Sequence, residues 1–474
     1  MRTRSFLLAA GLLASGLTPL ALSTPAGAAV AKYADDYNGD GYRDLAVGAP
    51  GTDVGGASSA GAVVVLYGSK SGASAANRSV ITQNTTGVAG SAERQDNFGA
   101  SLASADFNKD GYADLAVGAT GEGVGVDSYV GQVTILWGGK KGLSGGTALP
   151  QPSDIAAEHA YSHGLAAADF NGDGSPDLTV TGEWQTRIYN GPFKKTTGNA
   201  ASASYVGTVG ATRDVGAGDL TGDKAAERVY PYPTTSHPGG QVRYHTYNGK
   251  KTVVVDMPKA EGNSRVTIGD INGDGYGDLV LADPGDPALQ DGAGHLGGQV
   301  EIWYGGKGGP DLTQTPTVIN QDTPGVPGTG EEADFFGGSL SLGDINGDKY
   351  ADLAVGAQYE GLNGKRWAGT VTVLYGSAAG LTTKGAATYS QDTAGVPGTA
   401  ETQDGFGSAV RLIDLDKNGK AELVTTAPGE NAKGALLVLK GTASGLTTKG
   451  AKSITAANVG LKGTANSFGA HLAQ

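Results

Sequence analysis

The sequence contains no cysteine. That excludes a disulfide scaffold, an iron–sulfur protein and a thiol enzyme. Cations are in the minority, with 34 Lys and Arg against 47 Asp and Glu and a net charge of −13. Nucleic acid is disfavoured as a partner, because phosphate binding needs clustered Lys and Arg. An anionic membrane surface is disfavoured for the same reason. Apart from one N-terminal stretch, no apolar run approaches the roughly 18 residues needed to cross a membrane as a helix. Good helical composition is lacking too. Gly supplies 81 of the 474 residues, and each costs a helix about 1 kcal/mol relative to Ala. No G-X-Y period appears, which excludes collagen. What remains is an acidic, glycine-rich chain with 39% hydrophobic residues in ordered blocks. That composition allows a folded core and suits a protein that binds cations.

The N-terminus reads as an export signal. Arg2 and Arg4 are followed by an apolar run from Phe6 to Leu22, broken by Gly11, Gly16 and Pro19. Ala26-Gly27-Ala28 then gives a small-x-small cleavage pattern, so residues 1–28 are expected to be removed. Without cysteine no lipid can be attached at an N-terminal thiol, and the tail from Ser467 to Gln474 has no hydrophobic sorting segment. A secreted, extracellular, monomeric protein is expected, with residues 29–474 as its folded part. Its net charge would be about −15, because cleavage takes Arg2 and Arg4 and no acid.

One acidic phrase recurs seven times along the chain. The copies start at Asp36, Asp106, Asp169, Asp219, Asp270, Asp344 and Asp414, a mean of about 63 residues apart. The residues left after Asp414 and before Asp36 together make one more repeat length, so one unit is split across the termini. The details agree. Phe98-Gly99, Phe336-Gly337 and Phe406-Gly407 each lie eight residues before an acidic loop. The loop at Asp36 has no upstream Phe-Gly, yet the chain ends in Phe468-Gly469 with no loop after it. Within a unit, a short Phe-Gly strand, the acidic loop and a buried Asp-Leu-Ala-Val-Gly-Ala strand come first. An alternating strand ending in an aromatic-Gly turn follows, as in Gly131–Gly138 and Gly369–Gly376. A fourth strand is expected near Ile81–Gln83, Ile319–Gln321 and Tyr389–Gln391. Seven units of four strands with split closure predict an all-β, seven-bladed propeller. Its C-terminal strand would complete the N-terminal blade, and closure hides most sheet edges.

The acidic phrase, Asp-x-Asn/Asp-x-Asp-Gly-x-x-Asp, has the chemistry of a calcium loop. Calcium takes six to eight hard oxygen ligands at about 2.3–2.6 Å. Side chains at positions 1, 3 and 5 converge around a tight turn, position 7 offers its backbone carbonyl, and the acid at position 9 closes the site. Unlike an EF-hand, position 12 is apolar and lies in a strand, as at Val47, Val117 and Val355. The expected ligands are Asp36, Asn38, Asp40, Tyr42 and Asp44 in the first loop. In the second they are Asp106, Asn108, Asp110, Tyr112 and Asp114. The third loop gives Asp169, Asn171, Asp173, Ser175 and Asp177. The fifth and sixth give Asp270, Asn272, Asp274, Tyr276 and Asp278, then Asp344, Asn346, Asp348, Tyr350 and Asp352. The seventh gives Asp414, Asp416, Asn418, Lys420 and Glu422. The fourth loop, at Asp219, departs from the pattern: Thr221 replaces the amide and Lys224 stands where Gly belongs. Lys349 also replaces that Gly, but its ligand set is intact. Five to seven Ca2+ ions would bring about +10 to +14, nearly cancelling the acidic excess.

The repeats resemble FG-GAP repeats, as in the N-terminal propeller of integrin α subunits, here in a secreted form of bacterial type. Phe98-Gly99 with Val117-Gly118-Ala119, and Phe336-Gly337 with Val355-Gly356-Ala357, match that motif, and Val47–Pro50 gives the full Gly-Ala-Pro. The third and fourth repeats depart, with Tyr161-Ser162 and Ala211-Thr212 in place of Phe-Gly. The resemblance implies structural Ca2+ on one face and recognition of a protein or cell-surface ligand on the other. It does not extend to the remaining integrin domains, so a signalling role does not carry over. The long polar segments Asn84–Asn97, Asp322–Phe335 and Asp392–Gly405, with the Gly-rich loops near Gly121–Tyr129 and Ala288–Leu296, are expected to crowd the recognition face.

Two alternatives start from other residues. Trp137, Trp184, Trp303 and Trp367 could stack on a glycan in a lectin-like propeller. Gly142-Leu-Ser144-Gly-Gly146 fits the G-x-S-x-G pattern of hydrolases, but it aligns with turns in other repeats and precedes no evident helix. The six His residues, among them His159 and His163, form no zinc-protease motif. No catalytic residue is therefore expected.

Overall fold

The computed structural model describes residues 31–123, 129–150, 161–182, 186–205, 214–234, 237–262, 264–287, 294–461 and 467–473. The expected signal segment, His159, Trp184 and Ala211-Thr212 lie outside these. The described residues form seven antiparallel four-stranded sheets, and the chain is an all-β, seven-bladed propeller. The second blade is typical. Its strands run in order from Phe98–Ala105 through Asp114–Ala119 and Gln132–Trp137 to Ser144–Ala148. Among the described residues helix is confined to short pieces such as Ala456–Val459.

The innermost strands, among them Phe98–Ala105, Gly164–Ala168, Arg265–Gly269 and Phe336–Gly343, line one axial cavity of ≈ 360 Å³. All seven blades contribute to its wall, from Ala100 in the second blade to His471 in the first. The ring is therefore closed. The second strands are buried on both faces, as Leu45–Ala49 and Asp352–Ala357 show, because each blade is covered by its neighbours. The outer strands alternate or face water, as in Arg78–Ile81.

The Phe-Gly and Val-Gly-Ala phrases owe their composition to contacts between blades. Phe98, Phe336, Phe406 and Phe468 are fully buried. The following Gly adopts φ of +96° at Gly99 and +91° at Gly407, and strand register shifts between Phe98 and Ser101. A side chain on Gly48 would stand 2.2 Å from the Gly99 carbonyl, and one on Gly356 2.1 Å from that of Gly407. Only Gly at both positions lets neighbouring backbones approach this closely. Ser339 Oγ then donates to Gly407 O at 2.7 Å, and Ser101 Oγ to Ser162 O at 2.6 Å.

Closure joins the two ends of the chain as expected. His471–Leu472 pairs antiparallel with Leu45–Ala49, and Gly48 faces His471. Phe468 and Leu472 enter a hydrophobic cluster shared by the first and seventh blades, with Val47, Val64, Val424 and Leu436. A buried ion pair crosses the same seam: Asp35 accepts from Arg43 at 2.8 Å and from Arg411 of the seventh blade at 3.0 Å.

His471 lies in the closing strand, and burial and then Arg265 push its imidazole down to about 4. The neutral ring is the folded form. Its contribution is full above the unfolded value of about 6.5 and is lost as pH falls toward 4. His471→Gln is accordingly expected to lose less melting temperature than the wild type between pH 7 and pH 5. Equal losses would contradict this assignment.

Candidate metal loops and their setting

Six acidic loops join an innermost strand to a second strand, and the first, at Asp36, leads into the second strand of its blade, so all seven lie at one end of the ring. The turn is built by its own carboxylates. Asp36 Oδ1 accepts from the amides of Gly39 and Asp40 at 2.8 and 3.2 Å, and Oδ2 from that of Gly41 at 2.8 Å. Asn38 Oδ1 accepts from Asp40 N, Asn38 Nδ2 donates to Asp40 Oδ2, and Asp40 Oδ1 accepts from Tyr42 N. The loops at Asp270 and Asp344 repeat this network bond for bond. The loop at Asp169 keeps four of these bonds, from the amides of Asp173, Gly174 and Ser175 to the side chains of Asp169, Asn171 and Asp173. At Asp106 the same turn forms, and Asp106 Oδ2 also accepts from Ala31 N at 2.8 Å.

The acids at position 9 have a second task that repeat spacing did not reveal. Asp352 Oδ2 accepts from Ile345 N and Oδ1 from Gly376 N, both at 2.9 Å. Asp44, Asp177 and Asp278 make the equivalent pair of bonds. The carboxylate thus ties the start of its loop to the Gly that ends the third strand. These acids are almost fully buried. Burial raises Asp44 and Asp114 to about 8, Asp352 and Glu422 to about 7, and Asp177 and Asp278 to about 6, with neighbouring acids adding to the shift. A divalent cation in the loop would favour the ionised form instead.

The donor set fits a hard cation, since every side chain at positions 1, 3 and 5 of the six expected loops offers oxygen and the turns are already formed. An accepting carboxylate oxygen keeps a lone pair for a metal. The seventh loop gives the sharpest sign. Ligand atoms of Asp414, Asp416 and Glu422 lie within 4.8 Å of one another. Glu422 Oε2 accepts from Leu415 N, while its buried Oε1 has no partner. The fourth loop differs at that point. Glu227 Oε2 accepts from Leu220 N and Oε1 from Thr246 Oγ1 at 2.8 Å, so both its oxygens are bonded, as they are at Asp44, Asp177, Asp278 and Asp352. The Lys residues that replace Gly at position 6, Lys224 and Lys349, both accept φ of +77°, a conformation that costs an L-residue about 1–2 kcal/mol.

The other candidate residues are placed plainly. Ser144 opens an outer strand, Ser144–Ala148, so Gly142–Gly146 does not form the strand-to-helix elbow of a hydrolase. Trp137 and Trp303 are buried and cannot stack on a sugar. Trp367 is half-buried on a loop at the end opposite the acidic loops, beside Tyr359 and under Arg366. No helix among the described residues is long and apolar enough to cross a membrane.

A circular array of blades with Phe-Gly, Val-Gly-Ala and acidic-loop phrases makes this chain a seven-bladed β-propeller that carries FG-GAP repeats. The FG-GAP repeat model matches residues 33–66, 98–136, 336–374 and 406–439, which fall in the first, second, sixth and seventh blades. The chain is 37% identical over 150 residues to phosphatidylinositol-glycan-specific phospholipase D of Rattus norvegicus, covering 31% of this chain and 17% of that protein. It is 29% identical over 231 residues to integrin alpha-IIb of Mus musculus, covering 45% of this chain and 20% of that protein. Integrin alpha-8 of Mus musculus is 28% identical over 225 residues, covering 46% and 19%. The chain thus spans about a fifth of the length of these relatives.

Proposed function

We propose that this protein is exported and acts as a non-catalytic binding module for a protein or cell-surface ligand, its ring stiffened by Ca2+ in the Asp-rich loops. Positions 1, 3, 5 and 9 of the six loops at Asp36, Asp106, Asp169, Asp270, Asp344 and Asp414 would hold the ions, with the position 7 carbonyls of Tyr42, Tyr112, Ser175, Tyr276, Tyr350 and Lys420. Bound calcium would neutralise carboxylates that otherwise repel one another. Residues 1–28 would serve as the export signal.

The observation that carries this reading is the division of labour between the two ends of the ring. The acidic loops occupy one end. The other end carries the long segments 84–97, 322–335 and 392–405, together with exposed apolar side chains: Tyr129 is 51% exposed, Leu296 43% and Tyr359 40%. Rigid scaffolds place recognition on such loops, and aromatic side chains supply contact area at low entropic cost. The test is binding of purified protein to intact cells, repeated after the cells are treated with protease or with periodate. The paired substitution Tyr359→Ala/Trp367→Ala is expected to weaken binding, and Tyr42→Ala at the metal end to leave it unchanged. Protease sensitivity identifies a protein ligand and periodate sensitivity a glycan. Binding lost with Tyr42→Ala but kept in the paired variant would overturn the choice of face.

A further inference from the structure

One polar quartet recurs three times at the end opposite the acidic loops. Its members are Gln83, Glu93, Asp96 and Glu122; Gln321, Glu331, Asp334 and Glu360; and Gln391, Glu401, Asp404 and Glu430. The spacing is the same in each. Gln follows the outer strand of one blade, Glu-x-x-Asp precedes the innermost strand of the next, and the last Glu follows that blade's second strand. Each quartet therefore bridges a seam between blades: first to second, fifth to sixth, and sixth to seventh.

The hydrogen bonds repeat as well. Gln321 Nε2 donates to Glu360 Oε2 and Gln391 Nε2 to Glu430 Oε2, both at 2.5 Å, and Gln83 Nε2 donates to Glu122 Oε2. The Asp carboxylate caps its own turn: Glu331 N donates to Asp334 Oδ2 at 2.7 Å, and Glu401 N to Asp404 Oδ2 at 2.6 Å. These bonds leave two things unexplained. The three Gln side chains are 96 to 97% buried, with exposures of 4, 4 and 3%, and in all three Oε1 has no partner. The three acids beside each Gln also lack a cation, since none of the nine forms an ion pair among the described residues. In the fifth-to-sixth seam, one carboxylate oxygen each from Glu331, Asp334 and Glu360 lies within 4.8 Å of the others. That separation suits oxygens on opposite sides of one ion bound at about 2.4 Å.

We propose that Gln321, Glu331, Asp334 and Glu360 form a calcium site separate from the Asp-rich loops, and that the quartets at Gln83 and Gln391 are its counterparts. The Gln amide supports this assignment. As placed, its NH2 faces a carboxylate and its oxygen is orphaned. Half a turn about its last bond exchanges the two atoms and brings Oε1 to the acids, where facing oxygens need a cation or a shared proton between them. Three acids and one amide oxygen then give an all-oxygen set, and Glu331, which is exposed, opens it to solvent. A bound ion pins the segment before one innermost strand to the preceding blade and to the loop that carries Tyr359 and Trp367. Calcium thereby orders the recognition face, a role that the acidic loops at the far end do not supply.

The test is a count of tightly bound Ca2+ per chain in the full-length protein. Glu360→Gln is expected to bind one ion fewer than the wild type, and Asp274→Asn, in an acidic loop, to lose a different one. In the double variant both losses should add. A folded Glu360→Gln protein with the wild-type count overturns the proposal. If Glu360→Gln does not fold, wild-type crystals soaked in Mn2+ decide the matter. An anomalous peak among Glu331, Asp334 and Glu360 supports the site. Peaks confined to the acidic loops overturn it and leave a shared carboxyl proton to hold the cluster together. A peak here with the acidic loops empty would support this site and refute the loop assignment.

Discussion

Removing calcium is expected to lower the melting temperature by about 15–20 °C. The estimate follows from linkage. An ion at a hundredfold excess over its dissociation constant stabilises the folded state by about 2.7 kcal/mol. Unfolding entropy near 2.1 cal/mol/K per residue gives roughly 0.9 kcal/mol/K for a folded part of roughly 440 residues, so each site is worth about 3 °C. Six loops of the ligand set described here add to that range. The loss has a structural cause, since every loop stacks three or more oxygens against a buried acid such as Asp352 or Glu422. Calorimetry in millimolar calcium and in excess EGTA measures it. A shift under about 3 °C would mean that the hydrogen-bonded turns hold without metal.

The second large effect is expected at the closing strand. Phe468 is fully buried between the first and seventh blades, and Phe468→Ala should cost about 3–5 kcal/mol by leaving a cavity there. Deleting residues 467–474 should do more. It removes the partner of Leu45–Ala49 and exposes the edge of that fully buried apolar strand. Such edges pair between molecules, so the truncated protein is expected to aggregate or to melt far below the wild type in calcium. Denaturant unfolding and sedimentation velocity report the two outcomes. A truncated chain that stays monomeric with unchanged stability would show that the ring does not depend on this strand.

These two effects rest on features of differing legibility in the sequence. Phe98, Phe336, Phe406 and Phe468 stand at fixed distances from the next acidic loop or from the chain end, so blade number and closure follow from counting. The acids at position 9 are legible as candidate ligands but not as ties to Gly68 and Gly376, because each partner lies 24 residues downstream, past a strand whose register the sequence does not state. The Asp35–Arg411 pair joins residues 376 apart, and no local pattern signals it. The quartet around Glu331 had a readable clue, since Gln and Glu-x-x-Asp recur at constant spacing before Phe-Gly. Its meaning needed the fold, because three separate segments from two blades supply the oxygens. Lys349 shows the opposite case. The sequence marked it as a departure from Gly, and the loop takes the same left-handed conformation regardless.

The central claim is that the acidic loops hold calcium, and an ion count per loop tests it most directly. Calcium bound per chain would be measured after dialysis against micromolar calcium, for the wild type and for Asp270→Asn/Asp274→Asn. The account predicts about six loop-bound ions in the wild type, with one lost in the variant, which should remain folded. A wild-type chain that binds no calcium even at millimolar concentration would contradict it.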